Sequence, residues 1–389
     1  MHIFLGFLQS QKNHPIPAYH FWSTYMRGGL REAGITWFED PNIDWAACLA
    51  APSDLKAQQW RQQTWPRLLD ALKKAHRNQS IDLFLGYLYP RHIDVQAIRE
   101  IQAMGIPCVN FFCDNVREFK KIPDEFTVFD LNWVPEYAAY PLYQQQGLPT
   151  IHAPMPMWVA PEHRHANHPE RHGTVFIGSA DVQRKSLFAQ TLSLGAKLEL
   201  RGAGWHITPK ESSALLPNRF HPARWQTGAQ HQIRFIRDEG WLPFLRKIRE
   251  SWRPEISMDI FRDTLAPQPS AEEYIQIIQQ STICLGVNRY PSFHHPFAQP
   301  GVYSRLRDLE APMLGACYLT EWCPGLDQLY DLGREVESYR SAEELVEKIT
   351  QLSADPEKRR NLRRAGQRRA LSEHTIDRTM QRIGQALKP

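Results

Sequence analysis

The 389-residue chain is predicted to fold as an α/β protein of two tandem doubly wound domains with a cleft between them. Three observations carry the prediction. Stretches such as Ile81–Tyr87 and Ile106–Phe112 are apolar almost without interruption, as expected of strands buried on both faces of a parallel sheet. Amphipathic helical stretches alternate with such strands, and the alternation runs twice. The length also exceeds what one hydrophobic core usually supports.

In the first half, Ile3–Leu8 begins a strand at once, and a polar loop Gln9–Pro17 leads to a helix over Tyr19–Ala33 that Gly34 ends. Ile35–Phe38 is the second strand. A helix over Leu55–Arg77 precedes strand Ile81–Tyr87, and helix Val95–Met104, stopped by Gly105, precedes strand Ile106–Phe112. Strand Val128–Val134, helix Tyr137–Gln146 and strand Thr150–Ala153 complete a domain over residues 1–157. Residues 158–172, rich in His, Pro and charge and without periodicity, read as the linker.

The second domain, residues 173–375, restarts with strand Thr174–Ile177, helix Val182–Leu194 and strand Lys197–Leu200. An irregular insertion over residues 206–268 holds one helical piece near Leu242–Trp252. Helix Ala271–Gln280, strand Ile283–Val287, a helix around Glu310 and strand Ala316–Leu319 follow. Amphipathic segments Ala342–Leu352, Pro356–Leu371 and Ile376–Leu387 close the chain.

The composition narrows the function classes. A net charge of +4 is too small to argue for nucleic acid as a partner. Six cysteines show no CxxC pair or metal spacing, and several sit in apolar strand-like runs, which predicts reduced thiols and a cytoplasmic location. His163, His165, His168 and His172 in the linker match no standard ligand spacing, so no metal site is predicted. No apolar run is long enough to span a bilayer. Between Pro356 and Pro389, ten Lys or Arg face three acidic residues, a balance that suits either a solvated helix face or peripheral contact with anionic lipid.

Candidate functional residues fall in the loops after the strands, where open α/β sheets bind ligands. Pro312 is tolerated only in a first turn, so its helix is predicted to begin near Asp308 as N-cap, with Glu310 in that turn beside Arg305 and Arg307. A carboxylate there either accepts hydrogen bonds from the vicinal hydroxyls of a ribose or only pairs with its own arginines. Gly178 and Ser179, with Arg184 and Lys185, form either a phosphate-approaching loop or an ordinary glycine turn. Gly204 offers backbone freedom next to Trp205, which stacks on a nucleobase or packs in the core. Asn288 and Arg289 follow the next strand, then His294 and His295; Asn288 is a ligand contact or a strand-end turn residue. In the first domain, Asp114 leaves a buried strand as a general base or as a helix cap. His14 and His20 are rival bases. No pair of carboxylates is spaced to hold Mg²⁺ on a diphosphate, so cationic side chains and helix dipoles are expected to neutralise it.

From about Gly173 onward the chain resembles the group 1 glycosyltransferases, in particular the branch related to the spore-maturation protein CgeB. The resemblance runs through Phe176-Ile177-Gly178-Ser179 with Arg184, the Gly202–Trp205 turn, Leu285–Arg289, Arg305–Glu310 and Gly315–Thr320. It continues through Gly333–Val336, Tyr339, Ala342–Leu345, Asp355–Arg359, Ala365-Gly366, His374-Thr375 and Arg378. Residues 1–157 resemble the family only in layout. The resemblance implies a GT-B fold: two Rossmann-like domains, the nucleotide-sugar donor in the second and the acceptor in the first. It implies a C-terminal helix, here residues 376–389, that crosses back to the first domain. Glu310 matches the glutamate that contacts the donor ribose. Many relatives carry a second glutamate where this chain has Val302. The expected activity is a metal-independent hexosyltransferase using a UDP- or GDP-linked sugar, with no other cofactor and an unidentified glycan, protein, lipid or small-molecule acceptor. An epimerase or hydrolase acting on the same donor, or a non-catalytic nucleotide-binding protein, are the alternatives.

Overall fold

A computed structural model describes residues 1–12, 14, 18–205, 256–290 and 301–388. The predicted helical piece near Leu242–Trp252, and His294 and His295, lie outside the described residues.

The first domain builds a six-stranded, wholly parallel sheet from β1 (His2–Gly6), β2 (Thr36–Phe38), β3 (Leu83–Gly86), β4 (Cys108–Phe111), β5 (Leu131–Val134) and β6 (Thr150–His152), in the order β2-β1-β3-β4-β5-β6. Every residue of β3, β4 and β5 is buried, which is why those strands read as unbroken apolar runs. Helices α1 (Ala18–Glu32), α2 (Trp45–Leu49), α3 (Asp54–Asn78), α4 (Val95–Ala103), α5 (Asn115–Glu118) and α6 (Tyr140–Gln145) connect them. Local chemistry sets the ends. The Asp94 carboxylate accepts from the Gln96 and Ala97 amides to start α4, and Gly105, at φ 79°, follows its end.

Among its described residues the second domain holds five parallel strands: β7 (His172–Ile177), β8 (Glu199–Arg201), β9 (Ser281–Gly286), β10 (Tyr318–Glu321) and β11 (Glu337–Tyr339), in the order β11-β10-β9-β7-β8. Its helices are α7 (Val182–Ser193), α8 (Ala271–Gln280), α9 (Arg307–Met313), α10 (Leu326–Leu329), α11 (Ala342–Ala354), α12 (Pro356–Glu373) and α13 (Ile376–Ala386). Ser270 and Glu273 close a reciprocal capping box at the start of α8. The first helical residue of α9 is Arg307 and its N-cap position is Leu306, so Asp308 lies inside the helix instead of capping it.

In both sheets the strand order reverses once, between β1 and β3 and between β7 and β9. Such a reversal leaves a crevice beyond the carboxyl ends of the flanking strands. The two crevices face each other.

The halves are tied together by the last helix and the linker. Helix α13 packs on α1 and β6, with Ile376 against Gly29 where a Cβ would collide with it. The linker is anchored too: the Trp158 indole donates to Glu32 at 2.8 Å, and Arg164 forms a two-pronged pair with the same carboxylate. The basic tail is partly consumed inside the fold. Arg359 holds Glu170, and Arg363 donates to the carbonyls of Gln279, Gly315 and Ser281. Arg360, Arg364 and Arg368, each four residues apart on α12, remain exposed. Among the described residues no helix is long and apolar enough to cross a membrane, and all six cysteines are free and buried.

Candidate active site

A cavity of about 610 Å³ lies between the domains, within the size range of small-molecule sites. It is lined by the residues that leave both crevices: Leu8 after β1, Tyr87 and Tyr89 after β3, Gly178 and Ser179 after β7, and Val287 after β9. Asp114, Arg184, Arg305, Arg307 and Glu310 also line it.

Three arginines converge on the second-domain side. Arg184, from α7, donates to the Ser179 carbonyl at 2.7 Å and hydroxyl at 3.1 Å, and its Nε lies 3.3 Å from Asp181. Arg307 reaches the Ile177 carbonyl at 3.2 Å, lies over the Tyr274 ring and approaches Glu310 at 3.3 Å. Arg305 donates to the Arg289 carbonyl at 2.7 Å and lies over the Tyr303 ring. Arg184 Nε, Arg305 Nε and Arg307 Nη1 are buried donors without a hydrogen-bond partner among the described residues. Burial depresses the pKa of Arg184; Asp181 opposes the shift, while Arg305 and Arg307 repel its charge and add to it. This is a concentration of positive charge with donors to spare.

Glu310 is mostly shielded but opens on the cavity. The Tyr274 hydroxyl donates to it, and Tyr25 reaches the same carboxylate from α1 in the other domain. Burial, then the Glu310 charge, push the Tyr25 pKa up. Beneath α9, Asp308 is fully buried and accepts from Tyr318 (2.8 Å), Thr320 (2.9 Å), Asn288 (3.0 Å), Ser304 (2.9 Å) and the Arg305 amide (3.0 Å). Five donors on one carboxylate fix the loop that presents Arg305 and Arg307.

On the opposite wall, Asp114 occupies the N-cap position of α5 but makes no capping bond with its side chain. Instead it accepts from the Tyr89 hydroxyl at 3.2 Å. The α5 start is held by Glu136, which accepts from the Asn115 amide at 2.5 Å and the Val116 amide at 3.3 Å. Burial raises the Glu136 pKa to about 7.

Several predicted residues lie elsewhere. Trp205 is fully buried among Phe176, Phe188 and Phe261, so it offers no face to a base. Its indole donates to the Gly178 carbonyl at 2.8 Å, and Gly202, at φ 123°, has that carbonyl 2.5 Å from where a Cβ would sit. The turn that includes exposed Gly204 thus supports the Gly178–Ser179 loop from behind. Asn288 is buried in the Asp308 network, and Arg289 is taken up by Glu321 at 2.6 Å. Lys185 does not line the cavity. His14 also lies off the cavity, its Nε2 2.9 Å from the Asp44 carboxylate that caps α2; His20 lies in α1. Val302 faces Arg289 in an isolated bridge. The sequence reading missed Tyr25, Tyr89, Tyr274 and Asp308 as site builders. The spacing of Phe21 and Tyr25 on α1 was the available signal for an aromatic face near the first crevice. Among the described residues, no group of three His, Cys, Asp or Glu is arranged to hold a metal ion.

Residues 243–385 match a family model described as glycosyl transferase-like. Among solved structures, the chain is similar to sucrose-phosphate synthase from Thermosynechococcus elongatus, at 14% identity and a TM-score of 0.54 over 99% of this chain and 97% of that one. The fold is GT-B. Anabaena HepE, solved with UDP, shares this GT-B arrangement at 13% identity and a TM-score of 0.52 over 99% of each chain. The lipopolysaccharide outer core galactosyltransferase WaaB does so at 13% identity and 0.54, over 100% of this chain and 99% of that one. A comparison with curated protein sequences gives no match. The CgeB-like branch is not distinguished by these similarities to GT-B proteins.

Proposed function

We propose that the protein is a metal-independent glycosyltransferase that moves a sugar from a nucleoside diphosphate sugar to an acceptor hydroxyl. The observation that carries this is the trio Arg184, Arg305 and Arg307, each with a buried N–H that has no hydrogen-bond partner among the described residues, lining a cavity that Asp114 lines from the other domain. A departing nucleoside diphosphate gains negative charge as the sugar bond breaks, and fixed cations stabilise that charge most where water is excluded. The arginines take the neutralising part that a divalent cation plays elsewhere. Glu310 accepts from the ribose hydroxyls after exchanging its Tyr25 and Tyr274 partners for them. Asp114, with one oxygen held by Tyr89, takes the proton of the acceptor hydroxyl in an inverting transfer.

The UDP bound to HepE makes UDP-sugars the first donors to test, followed by GDP-sugars. Incubation with each donor, with and without a panel of alcohols and phenols, is expected to release nucleoside diphosphate only when an acceptor is present. Release without acceptor would identify a hydrolase on the same fold. Binding without any turnover would identify a nucleotide-binding protein, and absence of both would end the proposal. A cytoplasmic location fits six free thiols, and peripheral contact with anionic lipid fits the exposed Arg360, Arg364 and Arg368.

A further inference from the structure

The two walls of the cavity differ in chemistry. The second domain contributes Arg184, Arg305, Arg307 and Glu310 beside Phe176, Leu285 and Val287, whereas the first contributes Asp114 and Arg117 with Leu8, Phe21, Tyr25, Leu49 and Tyr89. The rings are continuous: Phe21 lies 5.8 Å from Tyr25 and 5.2 Å from Trp22, Trp22 lies 5.7 Å from Tyr87, and Tyr87 lies 5.5 Å from Tyr89, centroid to centroid. Leu8 is held in the left-handed region at φ 57°, the one described non-glycine residue with a positive φ. Gln9 locks it there, donating to the Leu5 carbonyl at 2.7 Å and accepting from the Trp45 amide at 3.2 Å. Strained backbone that persists at a cavity wall is a feature of sites built for a ligand.

Among the described residues, most polar groups on this wall are engaged in the unliganded protein. Tyr89 donates to Asp114 and meets Tyr87 at 3.1 Å, Tyr87 meets the Cys113 thiol at 3.2 Å, and Tyr25 is on Glu310. Arg117, about half exposed, lies 3.6 Å from Glu118. A sugar acceptor brings several hydroxyls, and each one buried without a partner opposes binding. A flat ring brings apolar area that stacks on Phe21 and Tyr25 and asks for one polar contact.

Resting on the glycosyltransferase reading above, we infer that the acceptor is a flat, largely apolar aglycone with one reactive hydroxyl, phenolic or on a fused ring, seated on the Leu8–Phe21–Tyr25–Tyr89 wall with that hydroxyl at Asp114. In the transfer, the aglycone oxygen forms its bond to the anomeric carbon as the bond from that carbon to the diphosphate oxygen breaks. The bonding pair leaves with the diphosphate, and the hydroxyl proton passes to Asp114.

Calorimetric titration of the full chain tests this with UDP and GDP first, then with 4-methylumbelliferone and methyl α-glucopyranoside, each with and without saturating nucleotide. The phenol is expected to bind at least ~10-fold more tightly than the glucoside, and Phe21→Ala to weaken the phenol by ~10-fold while nucleotide affinity stays unchanged. Phe21→Leu, which keeps apolar volume on the helix, should lie between the two. Equal or tighter binding of the glucoside, or phenol binding indifferent to both Phe21 variants, overturns the inference. Absence of nucleotide binding would instead overturn the glycosyltransferase reading, and the phenol titration without nucleotide would still report on the wall.

Discussion

Arg305 separates a ligand-binding arginine from a structural one. Arg184 is answered by Asp181 and Arg307 by Glu310, each at 3.3 Å, but no carboxylate among the described residues pairs with the Arg305 guanidinium. Consider Arg305→Met, which keeps an unbranched side chain over Tyr303. The unliganded protein loses one hydrogen bond from a charged donor to the Arg289 carbonyl, worth about 1.5–3 kcal/mol, and a ring contact at 4.4 Å, worth roughly 0.5–1 kcal/mol. It also stops burying an unanswered charge beside Arg184, which repays a similar amount. The net change is expected within about 1 kcal/mol, or within about 4 °C in Tm. Nucleotide binding carries no such compensation. Losing a charge-assisted hydrogen bond to a diphosphate costs about 1.5–3 kcal/mol, a weakening of roughly 10- to 150-fold. Differential scanning fluorimetry gives the first quantity and calorimetric titration with UDP and GDP the second. A large fall in Tm with unaltered nucleotide affinity would refute the reasoning and make Arg305 a structural residue.

Three further outcomes are expected. Glu310→Gln keeps the shape and the Tyr274 contact but weakens the acceptor for ribose hydroxyls, so UDP affinity should fall by about 10-fold while 2′,3′-dideoxy-UDP binds both proteins alike; equal loss for both nucleotides would argue against the ribose contact. Burial depresses His92 and His374 to about 4 from 6.5, so their contribution to stability is complete above pH 6.5 and lost as pH falls toward 4. Glu136, raised by burial to about 7, works in the opposite sense, its contribution present below pH 4.5 and lost as pH rises through 7. Two histidines outweigh one glutamate, so these three groups together withdraw about 3 kcal/mol between pH 6.5 and 4, and His374→Gln should flatten the slope of stability against pH seen in urea unfolding. Finally, if the exposed stripe on α12 meets anionic lipid, vesicles rich in phosphatidylserine should float the protein at low salt, and replacing Arg360, Arg364 and Arg368 with Gln should abolish this; flotation unchanged by the triple variant would place the contact elsewhere.

Legibility varied with how local each determinant was. Ala271–Gln280 matches its predicted bounds because Ser270 and Glu273 write the cap into adjacent positions. Val128–Val134 begins too early in the sequence reading, since Val128 ends a short 3-10 helix at Asp124–Val128 before β5 starts. Strand β11 escaped notice because Glu-Ser-Tyr at a sheet edge has no apolar run to betray it. Helices α2, α5 and α10 are too short to show a helical period. Glu310 was legible from its place near Pro312 in a first turn. Its partners Tyr25 and Tyr274 were not, because each comes from a different helix and one from the other domain.

Buried apolar runs and amphipathic spacers, read in order, were enough to determine two parallel sheets, and strand-end loops were enough to nominate residues. Local sequence carries those properties because burial and helical period act over a few neighbouring positions. Which nominated charges stand free to meet a ligand was decided only by tertiary structure. Arg289 lies 32 positions from the Glu321 that occupies it, and Trp205 turns inward to three phenylalanines, while Arg305 is left without a carboxylate among the described residues. A charge is available or spent according to what lies within a few ångströms of it, and that distance is set by how remote segments pack.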